Sequence, residues 1–174
     1  MRRLASPRLL FLLVIAPLIF AQETQIGGMI GVGRFWKYKW NSANYVVAGG
    51  EACVKCGGRR GLYLEYNHWS RRGTGTGTYP ATSWDLAGLG LRIQGKGERL
   101  RPFFDIGLLV GSKRRYTPFL VNVPQSIYAA GGGLGFGAAV SVSEHWYVRP
   151  FGRVFLLSTN ENGGFAGASV GYRF

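Results

Sequence analysis

Apolar side chains recur at every second position in segment after segment of this chain. In 61–70, Leu62, Leu64 and Tyr66 share one phase, and Tyr63, Glu65 and Asn67 share the other. In 83–95, Ala87, Leu89, Leu91 and Ile93 alternate with Gly88, Gly90, Arg92 and Gln94. In 101–112, Phe104, Ile106, Leu108 and Val110 alternate with Phe103, Asp105, Gly107 and Gly111. In 125–142, Tyr128, Ala130, Leu134, Phe136, Ala138 and Val140 oppose a file of Gly131, Gly133, Gly135 and Gly137. In 145–157, Trp146, Val148, Val154 and Leu156 oppose Tyr147, Arg149, Phe151 and Arg153. The stretch 164–174 ends GASVGYRF, with Ala166, Ala168, Val170, Tyr172 and Phe174 in one phase. A period of two marks strands with unlike faces, and no segment shows the 3.6 spacing of an amphipathic helix. Segments 25–37 and 44–54 complete a set of eight predicted strands. The first has no clean phase, because Ile26, Ile30 and Val32 alternate with Met29 and Phe35, and Arg34 falls near a rim. Pro150 cannot donate to a ladder, so with Gly152 it is read as a bulge.

Charges sort with the phase. Glu65, Arg92, Asp105, Arg149, Arg153 and Arg173 all fall opposite the apolar side chains, and so does Glu51 if Val46, Ala48 and Val54 mark the apolar face. An Arg on the lipid face near mid-membrane costs about 2–4 kcal/mol, which would enforce this sorting. A soluble sandwich alternates as well, so other features must decide. The polar phase is mostly Gly with a few charges and almost no Lys, Ser or Thr, which suits a narrow barrel interior. Arg92, Arg149, Arg153 and Arg173 nearly balance Glu51, Glu65 and Asp105, as buried charges must. The connections near 38–43, 71–82, 113–124 and 158–163 are longer or carry Asn, Gly and Thr, whereas those near 55–60, 96–100 and 143–144 are shorter. The expected fold is an all-β, eight-stranded, antiparallel up-and-down transmembrane β-barrel, with a lumen network of Glu51, Glu65, Arg92, Asp105, Arg149, Arg153 and Arg173.

Composition agrees. The 174 residues include 28 Gly, 11 Phe, 9 Tyr and 5 Trp, with 47% hydrophobic and 17% charged residues, which excludes a chain too polar to fold. Arg2, Arg3 and Arg8 precede the apolar run Leu9–Phe20, too short for a spanning helix but suited to a secretory signal. The expected division is a signal peptide at 1–21, with Ile19 only a fair fit at the −3 position, and a barrel domain at 22–174. A net charge of +13 on an exported chain argues against a nucleic-acid partner.

Tyr172 and Phe174, after Val170, resemble the C-terminal signal by which bacterial outer-membrane barrels are handed to their assembly machinery. Residues 23–174 resemble the small eight-stranded outer-membrane barrel family, of OmpA and OmpX type. The resemblance implies a Gram-negative outer membrane, insertion from the periplasm and both chain ends in the periplasm. It implies no single activity, since such barrels include adhesins, small pores, structural anchors and lipid-modifying enzymes. The reading is a monomeric structural or interaction protein among outer-membrane lipids and lipopolysaccharide, with a plugged lumen rather than a wide porin-like pore, no cofactor or metal and no catalysis.

Other residues carry candidate chemistry. His68-Trp69-Ser70 looks like part of the His–Ser–acid site of lipid A 3-O-deacylases, which are outer-membrane barrels. Residues two apart on a strand share a face, but Glu65 lies on the opposite face and cannot orient His68. That family's Asn after the Ser is Arg71 here, and its HxS pair lies towards the C-terminal end of the chain, not early as here. The alternative is an interfacial His and Trp in an aromatic girdle. Cys53 and Cys56 form a C-x-x-C unit without a following helix or two further nearby zinc ligands, which leaves a local disulfide or free thiols. Arg71, Arg72, Lys113, Arg114 and Arg115 fall in expected outer loops, where they either meet lipopolysaccharide phosphates or are simply solvated. GGGLGFG lacks the helix and Lys-Ser or Lys-Thr of a phosphate loop. A secreted lipocalin-like barrel with its apolar phase inward is the soluble alternative.

Overall fold

The computed structural model describes residues 24–37, 43–71, 81–116 and 125–174. The expected signal peptide and Arg72 lie outside the described residues, and the side chain of Arg115 is likewise not described. Eight strands follow in order: β1 (Gln25–Lys37), β2 (Ala43–Val54), β3 (Arg60–Arg71), β4 (Ala81–Gln94), β5 (Leu100–Tyr116), β6 (Gln125–Ser141), β7 (Trp146–Leu157) and β8 (Glu161–Arg173). Each pairs antiparallel with the next, and β8 returns to β1, so the sheet closes into a barrel without free edges. β5 continues to Tyr116 and β8 begins at Glu161, so both reach further than the sequence pattern indicated.

One end of the barrel carries the connections 55–59, 95–99 and 142–145, here the turn end. The other, the loop end, carries 38–42, 72–80, 117–124 and 158–160. Only 72–80 and 117–124 are long, so the expected length asymmetry rests on two connections rather than four. Lys55 and Asn160 adopt left-handed φ of 59° and 57° inside two tight turns.

The apolar phase faces outward on every strand. Leu89 is 57% exposed and Leu108 73%, whereas Arg92 and Asp105 are fully buried inside. This excludes the lipocalin-like arrangement, in which those roles reverse. An apolar outer belt around a closed ladder pairs the backbone of each strand with its neighbours and matches a hydrocarbon solvent, so the barrel is a transmembrane one. β1 also resolves: Ile26, Ile30, Val32 and Trp36 face out while Met29 and Phe35 are buried within. Its phase was unreadable because the lumen itself takes apolar side chains on that strand.

Pro150 forms no bulge. Gly137↔Phe151 and Val140↔Val148 keep one register across β6–β7, and Pro150 pairs with Ala168 on β8 without an extra residue. The β6–β7 ladder is instead interrupted beside Arg149 and Pro150, where the missing N–H leaves a gap in the hydrogen bonding.

Candidate functional site

The lumen divides into two halves. Towards the turn end, strand register brings charges together. Arg92 and Asp105 are direct neighbours across β4–β5, and Glu51 and Glu65 are direct neighbours across β2–β3. Two adjacent carboxylates would repel unless cations lie between them. Arg92 meets both oxygens of Asp105, with Nε donating to Oδ1 at 2.7 Å and Nη2 to Oδ2 at 2.8 Å. The same Nη2 donates to Glu51 Oε2 at 2.9 Å. Arg149 pairs with Glu51 through Nη1 and donates from Nη2 to Gln25 Oε1 at 2.9 Å. Arg153 pairs with Glu65 and donates to Asp105 Oδ2 at 2.9 Å. Ser169 donates to Glu51 Oε1 at 3.1 Å. Three guanidinium groups thus face three carboxylates, and the rings of Tyr63, Phe103, Tyr147 and Phe151 lie against the guanidinium faces. Such pairing offsets desolvation that would otherwise be prohibitive.

The Gly file makes room for this. Gly135 sits between Asp105 and Arg153 in register, and a Cβ there would stand 3.0 Å from Arg153 Cγ and 3.3 Å from Asp105 Cβ. Arg153 crosses the empty position to reach its partner. Arg173 departs from the expected network: it donates to Ser141 Oγ at 3.0 Å and lies over the Tyr147 ring, with no carboxylate partner among the described residues.

Towards the loop end, the lumen is aromatic. Phe35 stacks on Trp84 at 5.1 Å and packs on Trp69 at 4.8 Å; Trp69 in turn meets Phe155 and Phe165. Tyr45, Val47, Leu86 and Leu157 belong to the same buried cluster. Lys113 caps it, with Nζ 2.6 Å from Glu161 and over the Trp84 ring. Between the halves, Tyr63, Glu65, Asn67, Leu86 and Arg153 border a void of about 10 Å³, the size of one water.

The lipopolysaccharide candidates separate. Lys113 points inward to Glu161, and Arg71 is half-buried on the inward phase of β3 beside Tyr45, so neither is a free outer contact. Arg114 is exposed on the outer wall. Cys53 and Cys56 form a disulfide in the β2–β3 turn, where Gln25 Nε2 donates to the Cys56 carbonyl at 2.8 Å. Val170 and Phe174 are exposed on the outer wall, and the Tyr172 ring packs on Trp146 and Phe174.

A second polar group sits on the outer wall near the loop end. His68 and Asp85 are direct partners across β3–β4, and His68 Nδ1 is 2.8 Å from Asp85 Oδ1. Tyr66 OH donates to the same oxygen at 2.5 Å. Ser70 lies one step further along this face, opposite Ser83, without a hydrogen bond to His68 among the described residues. In the neutral imidazole tautomer with Nδ1–H donated to Asp85, the Nε2 lone pair would be directed away from the carboxylate. Sequence reasoning considered only Glu65 as the acid. The signal for Asp85 was available: it shares the phase of Ala87, Leu89 and Leu91, which makes it a carboxylate in the apolar phase of its own strand. Among the described residues no cluster suited to a metal ion occurs.

No protein-family model matches the chain, and no curated protein matches it significantly. Solved structures do. Neisserial surface protein A superposes with a TM-score of 0.74 at 12% identity, covering 87% of this chain and 97% of that one. The attachment invasion locus protein Ail of Yersinia pestis gives 0.68 at 12% identity, covering 89% and 100%. The N-terminal β-barrel domain of Pseudomonas aeruginosa OprF gives 0.65 at 15% identity, covering 88% and 98%. At such identities the likeness establishes architecture alone: a small, closed, eight-stranded antiparallel barrel of the kind seen in those three outer-membrane proteins.

Proposed function

We propose that the chain is exported through residues 1–21, resides as a monomer in a bacterial outer membrane, and does structural or interaction work there with a closed lumen and no catalysis. The filled interior carries this reading: ion pairs occupy one half, aromatic rings the other, and the void between them is no larger than about 10 Å³. An eight-stranded barrel leaves space for side chains and little else. Arg114 is the basic residue available to lipopolysaccharide phosphates on the wall, and Val170, Tyr172 and Phe174 are the segment offered to the assembly machinery. Purified protein in planar bilayers is expected to give no large steady conductance, while migrating on gels as a heat-modifiable band. A stable wide channel overturns the reading.

The His68–Asp85 pair favours a second reading, a deacylase-like enzyme acting on membrane lipid. Ser70 Oγ would attack an ester carbonyl, His68 Nε2 would take its proton, and Asp85 would hold the resulting imidazolium. The alcohol leaves, and water then releases the fatty acid from Ser70. Its test is mass spectrometry of lipid A incubated with the barrel. Loss of an ester-linked acyl chain that disappears in Ser70→Ala and Asp85→Asn supports the enzyme; unchanged lipid A with the wild type removes it.

A further inference from the structure

The turn end carries charge that no other described residue neutralises. Lys55, Arg59, Arg60, Lys96 and Arg99 are all exposed, and their side chains have no ion-pair or hydrogen-bond partner among the described residues. Glu98 is the only acid in the same two connections. By contrast, Arg92, Arg149 and Arg153 inside the barrel are each paired.

These cations stand on a braced platform. The Cys53–Cys56 disulfide closes the base of the β2–β3 turn. Arg101 reaches across to it, donating from Nη1 to the Gly57 carbonyl at 3.1 Å and from Nε to the Gly97 carbonyl at 2.7 Å. Gln94 N donates to the Arg59 carbonyl at 2.9 Å, so the β2–β3 and β4–β5 connections are joined. The apolar belt begins at once beside them: Arg60 is the register partner of Ile93, and Leu62, Leu91 and Leu100 are exposed on the wall. The third connection at this end, 142–145, contributes Glu144 and His145 and no Lys or Arg. The positive charge is therefore gathered on the β2–β5 side.

We infer that this platform binds the phosphate headgroups of anionic glycerophospholipids in the leaflet at the turn end. Clustered Lys and Arg at the edge of a spanning segment attract anionic headgroups, and Arg can keep its stem on the apolar belt while its guanidinium stays at the phosphates. Holding four cations on two braced turns, and Arg60 at the adjoining start of β3, lowers the ordering cost of a bound headgroup. The inference rests on the membrane-spanning reading above.

The test uses the full barrel in vesicles of phosphatidylethanolamine containing a minor fraction of phosphatidylglycerol or cardiolipin. Flotation first reports insertion. Lipids retained on extracted barrels are then counted by native mass spectrometry. The wild type is expected to enrich anionic over zwitterionic lipid about tenfold, falling in high salt. A variant with Lys55, Arg59, Arg60, Lys96 and Arg99 all changed to Gln should lose that enrichment, whereas Arg59→Lys with Arg60→Lys and Arg99→Lys should keep it. Arg114→Gln, at the opposite end, should leave it unchanged. Inserted wild type without enrichment, or equal enrichment in the Gln variant, overturns the inference. So does a Gln variant that keeps its lipids but no longer co-sediments with peptidoglycan, since that assigns the platform to a different polyanion. A wild type that does not float with the vesicles fails the membrane reading instead.

Discussion

The two halves of the lumen have the same backbone and are filled by opposite chemistry. Near the turn end, Arg92 holds two carboxylates at once and is itself fully buried. Near the loop end, Trp69 and Trp84 are equally buried but are held by rings packing at several angles. The difference is in what each half tolerates. A ring cluster can lose a few atoms and relax, because dispersion is non-directional. A buried ion network cannot lose one member without stranding the others' charge.

The largest effect should therefore come from Arg92→Met, which leaves Asp105 and Glu51 without a main partner; removing one partner of a buried pair costs about 3–5 kcal/mol. Urea unfolding in detergent, followed by the heat-modifiable gel shift, should show a large drop in midpoint or no folded band. Phe155→Leu in the aromatic half keeps most of the volume and is expected to cost less than about 1.5 kcal/mol by the same assay. If the two variants lost equal stability, the contrast between the halves would not hold. The smallest effect should follow Lys113→Met. This cation lies at the loop-end mouth, partly exposed, and its ion pair with Glu161 should contribute about 1 kcal/mol or less, declining with added salt. A salt-independent loss larger than that would mean the cap is part of the buried network.

The same contrast explains what could be read from the chain alone. Strand number, antiparallel order and the outward apolar phase were legible because lipid imposes one rule on every outward position. The charged half was legible too: Glu51, Glu65, Arg92, Asp105, Arg149 and Arg153 stand out against their apolar neighbours, and the barrel unites them. The aromatic half was not. Met29, Phe35, Tyr45 and Val47 face inward beside outward Ile30 and Val46, so hydrophobicity there no longer reports direction. Arg173 was assigned to the network by phase alone, and phase carries no height along the axis; it lies too near the turn end to reach the carboxylates. Lys113 and Arg71 were given to outer loops because the strands continue further than their apolar pattern does. Asp85 escaped notice because it broke the sorting rule instead of following it, yet it is the residue that gives His68 a partner.

Two contacts of the buried network join the beginning and end of the chain. Gln25 of β1 receives Arg149 of β7 across 124 positions, and Ser169 of β8 donates to Glu51 of β2 across 118. Neither can exist until the last hairpin has docked against the first, and such distant contacts are the slowest for a chain to find. Until then Glu51 and Arg149 lack part of their shell, and the interior keeps water that the finished structure expels. Completion of the cylinder and dehydration of its centre are therefore one event, and a barrel that stalled before its final strand would keep a wet, unlocked middle.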